Sequence, residues 1–126
     1  MNRVLIELEY FFKSSVQMVF DYVSTPEGLT RWFCNNLIIK DHEYQFYWEG
    51  AFENATLIDF QEDEKIVFHW ETAESNSEYL EFNVSKSPIT NETVLQIKEF
   101  CNEDEVEDNA ELWDSQIDEL KKLLGG

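Results

Sequence analysis

Few side chains in this sequence are of the kinds that move protons or form covalent bonds, and their neighbours argue against most of them. Of the two histidines, His42 sits in a turn between Asp41 and Glu43, and His69 takes the outward phase of a strand in which Phe68 and Trp70 flank it. Neither is placed as a general base. Cys34 follows Trp32-Phe33 without a base beside it. A nucleophilic thiolate needs a lowered pKa, which an acidic setting opposes. Cys34 and Cys101 form no CxxC pair and lie near no histidine cluster, so neither a disulfide scaffold nor a zinc site is expected. The run Glu103-Asp104-Glu105 with Glu107-Asp108 lacks the spaced ligands and turn glycine of a calcium loop, and reads as a solvated approach to a helix. Carboxylates are too numerous for any two to stand out as an acid/base couple. No catalytic residue, metal ligand or cofactor is expected, and the leaning is away from an enzyme.

What remains is the chemistry of binding. The candidates for a cavity wall are Trp32, Phe33, Phe46, Trp48, Phe52, Phe68, Trp70, Phe82 and Trp113, with Ile117 beside them. Such rings either fill a core or enclose a planar or acyl ligand, held at roughly 25 cal/mol per Å² of apolar surface. Truncation is costly under both readings, and only a pocket gives ligand-dependent protection. Asn54 and Thr56, placed on the inner phase with Phe52 and Ile58, would orient a ligand. Arg31 would anchor a carboxylate with its guanidinium fork or, alternatively, pair with Glu27 four residues earlier on a helix.

The elements that must position these groups follow from hydrophobic period. Val4, Ile6, Leu8 and Tyr10 share one face of a first strand and Glu7 and Glu9 the other. Ser14 with Gln17 fits a capping box, and Val16, Val19, Phe20 and Val23 then repeat at helical spacing. Thr25-Pro26-Glu27 restarts a short helix through Leu29, Arg31, Trp32 and Phe33, so that two helices form a V. From Leu37 the period is two, with strands near 37–40, 44–49, 52–60, 65–72, 78–86 and 92–100. Short connections make an antiparallel meander. Its inner face is expected to collect Phe46, Trp48, Phe52, Ile58, Phe60, Phe68, Trp70, Leu80, Phe82, Leu95 and Ile97. Trp113, Ile117, Leu120 and Leu124 then form one apolar stripe on a closing helix, with Lys121 and Lys122 near its end and Gly125-Gly126 after it.

A chain of 126 residues, 43% hydrophobic and 15% aromatic, buries a sizeable core as one domain. Nine Lys and Arg against 27 Asp and Glu leave a formal charge of −18, which repels phosphate backbones and anionic headgroups and excludes nucleic acid and membrane surfaces as partners. The acidity reads as a solvated surface or as steering toward a basic partner or a cationic ligand. The N-terminal residues alternate charge with apolar side chains and form no signal-peptide h-region, and no stretch reaches membrane-helix length. A cytoplasmic protein with reduced thiols is expected.

The order strand, helix, helix, six strands, long helix resembles the helix-grip fold of the START-like (SRPBCC) superfamily. Within it the chain is similar to activators of the ninety-kilodalton heat-shock chaperone ATPase. The likeness is carried by Val19 to Phe33 (VFDYVSTPEGLTRWF), by Ile66-Val67-Phe68-His69-Trp70 and by Leu112 to Leu124 (LWDSQIDELKKLL). It implies an α+β fold in which a seven-stranded antiparallel sheet grips the C-terminal helix around a cavity with its mouth near the helix pair, in a single domain over 1–126. It implies no single activity, since relatives include lipid and hormone binders, polyketide cyclases and chaperone activators. The activators' asparagine-rich motif bearing Trp-His-Trp belongs to a separate N-terminal domain, and Cys34-Asn35-Asn36-Leu37 does not supply it. The expected partner is a small hydrophobic molecule. A chaperone or other protein met through the acidic surface is the alternative, and a cyclase-like enzyme the third reading.

Overall fold

Two hydrophobic periods, alternating and helical, become the strands and helices of the computed structural model, which describes residues 2–126. Strand β1 spans Arg3–Phe12, helix α1 Val16–Ser24 and helix α2 Pro26–Leu29. Strands β2 (Asn36–Lys40), β3 (Glu43–Trp48), β4 (Ala51–Gln61), β5 (Lys65–Trp70), β6 (Leu80–Lys86) and β7 (Thr93–Asn102) follow. A 3-10 turn at Glu103–Glu105 leads into α3, Val106–Leu124. The strands form one antiparallel sheet in the order β1-β7-β6-β5-β4-β3-β2. Strands β2 to β7 are thus the expected meander, and β1 closes against the last of them, with Arg3 opposite Asn102 and Phe12 opposite Thr93.

The helix pair is capped locally. Ser15, one residue later than the expected capping box, accepts from the Met18 N–H at 3.1 Å, while the Ser14 hydroxyl donates to the Leu124 carbonyl and ties this corner to the end of α3. Thr25 caps α2 through the Gly28 N–H, with Pro26 at the first helical position. The second helix stops at Leu29 rather than running to Phe33, and 30–33 continue as turns. Gly28 is required by the V: a Cβ there would stand 2.5 Å from the Tyr22 Cα and closer still to the Asp21 carbonyl oxygen.

The inner sheet face and α3 enclose the core. Ile6, Phe46, Phe68, Leu80, Phe82, Leu95 and Ile97 come from the strands, Trp113, Ile117 and Leu120 from α3, and Val19, Phe20, Val23 and Leu29 from the helix pair. Phe33, Phe46 and Phe68 meet edge to face at centroid separations of 5.5 and 5.6 Å. The helix begins earlier than its apolar stripe, so the acidic approach forms its first turns, with Glu107 and Asp108 complementing the positive end of the dipole. Gly125, at φ 81°, provides the left-handed C-cap.

One strand departs from the expected phase. Along β4 the register sets Glu53 opposite Phe46 and Ala55 opposite Tyr44 and Trp70, so residues 51, 53, 55 and 57 face inward. Phe52, Asn54 and Thr56 lie on the outer face: Phe52 is 55% exposed against Tyr47, Asn54 donates to Glu71, and Thr56 donates to Glu43. A bulge between Leu57 and Asp59 then shifts the phase. Ile58 is left exposed in it, and Phe60 turns back opposite Ile66 with its ring 5.6 Å from Phe20, still 47% exposed. The bulky residues Phe52, Ile58 and Phe60 imitate one alternating face. Small Ala55 is the true inner residue, because the rings of Tyr44 and Trp70 fill the space above it. Among the described residues no helix is long and apolar enough to cross a membrane.

Candidate functional site

At one end of the sheet the core is not filled. There, the last residues of β3, β5 and β7, the first of β1 and β4, and the first three turns of α3 surround a cavity of about 600 Å³. Its apolar wall is Phe33, Trp48, Trp70 and Trp113. Each ring is held from behind. Phe33 stacks on Trp113 at 5.9 Å, Trp113 meets Phe82 edge-on at 5.8 Å, and Trp48 and Trp70 stand 5.4 to 6.2 Å from Phe46 and from each other. The indole N–H of Trp48 donates to the Phe33 carbonyl at 2.6 Å, which fixes the ring's angle.

The polar wall is mostly acidic. Glu99 continues the inward phase of Leu95 and Ile97 along β7, and its Oε1 accepts from the Trp113 indole N–H at 3.0 Å. Burial pushes the Glu99 carboxyl above its ordinary range, the Trp113 and Trp70 donors oppose that rise, and the Glu53 charge reinforces it. Glu53 lines the cavity from β4 and is exposed. On the β1 side Arg3 is paired with carboxylates: Nε and Nη2 donate to Glu78 at 2.9 and 2.6 Å, Nη1 donates to Asn102 at 3.0 Å, and Glu74 lies 2.9 Å from Nε. The Arg3 guanidinium holds the buried Glu78 carboxyl below its usual range. His69, on the outward phase, bonds the Glu78 carbonyl through Nδ1 at 2.8 Å and so pins the connection between β5 and β6.

The expected site residues therefore divide into four groups. Phe33, Trp48, Trp70 and Trp113 line the cavity. Trp32, Phe46, Phe68, Phe82 and Ile117 are buried behind it as core, the Trp32 indole N–H donating to the Tyr22 carbonyl at 2.7 Å. Phe52, Asn54 and Thr56 are on the opposite face of the sheet, since the β4 register assigns the inner face to the odd-numbered residues. Arg31 is remote from the cavity. It reaches the Tyr22 hydroxyl at 3.0 Å in a separate groove shared with Asp21, Thr25 and Glu27, and among the described residues it forms no ion pair with Glu27. Cys34 is buried against the Leu29 carbonyl, with its thiol pushed up to about 11 by burial, and lies outside the cavity wall. Cys101, also raised by burial, does reach that wall.

Glu99, Glu53 and Arg3 are among the cavity residues that sequence reasoning missed, as are Glu78, Asn109 and Gln116. The signal for Glu99 was present: extending the Leu95, Ile97 phase by one step lands on it. For Glu53 and Arg3 only the strand register and the pairing of β1 with β7 supply the information.

A family model described as a START-like superfamily domain matches residues 1–126. The solution structure of a Bacteroides fragilis protein is 32% identical, covers 98% of this chain and 92% of its own, and superposes with a TM-score of 0.68. The Aha1 dimer from Colwellia psychrerythraea is 15% identical, with 96% of each chain covered and a TM-score of 0.78. A Bacillus halodurans protein is 19% identical over 98% of this chain and 99% of its own, at 0.75. The last two likenesses are of fold alone. No curated protein matches the chain.

Proposed function

We propose, from the premise that the chain belongs to the START-like superfamily over its whole length, that it is a single-domain, cytoplasmic binding protein that takes a small hydrophobic molecule without transforming it. Members of that superfamily commonly bind hydrophobic ligands. The observation that carries the reading is the cavity of about 600 Å³ walled by three indoles and Phe33, a size within the range of small-molecule sites. A ligand burying about 200 Å² of apolar surface there gains roughly 5 kcal/mol before the cost of immobilising it, which sets area burial alone at millimolar binding and leaves tighter binding to polar contacts.

Native mass spectrometry with thermal-shift screening of fatty acids, sterols and aromatic polyketides tests this. A one-to-one adduct with a raised melting temperature is expected, and failure of every class to bind contradicts it.

A second reading, contact with a basic patch on a chaperone or other protein, is favoured by the charge of −18. It predicts capture that is strong at low salt and lost at high salt, with a change in the chaperone's ATPase rate. A cyclase-like reaction would draw on Glu99, a half-buried cavity carboxyl with no ion pair among the described residues, and would show as polyketide turnover abolished in Glu99→Gln.

A further inference from the structure

The polar half of the cavity specifies the ligand's charge. This step rests on the binding reading above and goes past it to the chemical class of the molecule.

Among the described residues that line the cavity, Arg3 is the one cation, and its charge is already matched by Glu78 and Glu74, with Nη1 donating to Asn102. An incoming anion would have to compete with those carboxylates for it. Glu99 and Glu53 are carboxylates with no ion pair, one set into the β7 wall and the other on neighbouring β4. Glu99 accepts from the Trp113 indole N–H at 3.0 Å and is stabilised by the Trp70 indole as well, and a carboxylate has acceptor capacity for more. Around it Trp48, Trp70 and Trp113 supply apolar walls of low dielectric. A cleft lined by one sign of charge within low-dielectric walls also concentrates counter-ions from solution, and the whole chain, at −18, adds to that field.

We infer that the cavity is built for a hydrophobic cation: an organic ammonium whose charged nitrogen sits between Glu99 and Glu53 while its hydrocarbon part lies against the indole rings. The acid's environment agrees with this. Burial disfavours the charged form of Glu99, and a bound ammonium is a counter-charge that would restore it. Cationic discrimination comes from the carboxylates. A neutral ligand of the same shape gains the area term and leaves Glu99 with only the Arg3 charge, which is shared with Glu78 and Glu74; an anionic one adds repulsion.

One hydrocarbon scaffold with three head groups tests the inference: 4-phenylbutylammonium, 4-phenylbutanol and 4-phenylbutyrate, titrated by calorimetry at pH 7 into wild type, Glu99→Gln and Glu53→Gln. The ammonium is expected to bind at least tenfold more tightly than the alcohol, and the carboxylate more weakly than both. Glu99→Gln should cost the ammonium about tenfold and change the alcohol less than twofold. Glu53→Gln, at an exposed position that threatens no folding, should cost the ammonium two- to threefold. If the alcohol or the carboxylate binds as tightly as the ammonium, or if neither substitution weakens it, the cation inference is overturned while the cavity reading survives. If none of the three binds, both fall.

Discussion

Replacing Trp113 by phenylalanine removes the indole N–H together with part of the ring, and combining it with a change at Glu99 isolates the polar bond that organises the cavity wall. The ring is 4% exposed, stacked on Phe33 and edge-on to Phe82, and phenylalanine retains most of those contacts. What is lost is the 3.0 Å bond to the Glu99 carboxylate. A hydrogen bond to a charged group contributes about 1.5–3 kcal/mol, and the lost ring area adds about 1 kcal/mol. Urea unfolding at pH 7, followed by far-ultraviolet circular dichroism, should therefore show a loss of about 3 kcal/mol with an unchanged m-value. In a Glu99→Gln background the acceptor is neutral, and the same substitution should cost only about 2 kcal/mol. The difference, on the order of 1 kcal/mol, exceeds the roughly 0.3–0.5 kcal/mol within which independent sites add. Strict additivity of the two substitutions would refute the bond as the organiser of this wall.

Phe68→Ala, at a fully buried ring touching Tyr44 and Phe46, should cost about 3–5 kcal/mol, whereas Phe52→Ala on the outer face should cost under about 1; equal losses in thermal unfolding would overturn the β4 register. Glu99 binds its proton more tightly when folded than when unfolded, so its contribution to stability falls as pH rises from the ordinary carboxylate range through its folded pKa; Glu99→Gln should flatten that fall and raise the neutral-pH melting temperature, and an unaltered pH profile would contradict the assignment. Glu78 runs the other way. Its carboxyl is held low by Arg3, so that pair's contribution is present above the ordinary carboxylate range and lost as pH drops through the folded value. Arg3→Met should remove on the order of 2 kcal/mol at pH 7, less than a fully enclosed pair would lose, and much less near pH 3, measured by chemical denaturation at each pH.

The helix-grip architecture is legible in the chain because each of its elements has a clear period and a marked end. The α3 stripe, the Thr25-Pro26 restart and the shift to period two at Leu37 each correspond to an element of the structure. The inner face is legible where large apolar residues alternate with polar ones, as in Leu80, Phe82 and Val84, whose buried pattern agrees; in β5 Ile66 and Phe68 are buried as the phase requires, but Val67 on the other face is buried too. It fails in β4 for a physical reason: register belongs to the partner strands, and a bulge inserts one residue that the period cannot announce. Phe52 therefore reads as a cavity residue and lies outside, while Ala55 reads as nothing and is 1% exposed. The cavity's rings were legible as rings, with Phe33, Trp48, Trp70 and Trp113 lining it as expected. Its acids were hidden among 27 Asp and Glu, because only the packing of β7 against α3 singles out Glu99.

Four indole N–H groups give the most direct test of the cavity as a binding site. Trp48, Trp70 and Trp113 line it, while Trp32 is buried behind the wall with its N–H bound to the Tyr22 carbonyl. In a two-dimensional nitrogen–proton spectrum recorded during titration with a hydrophobic ligand, the three cavity indole signals should shift along one saturating isotherm and that of Trp32 should stay in place. Saturating binding that moves Trp32 and leaves the other three unmoved would place the ligand elsewhere and contradict the account.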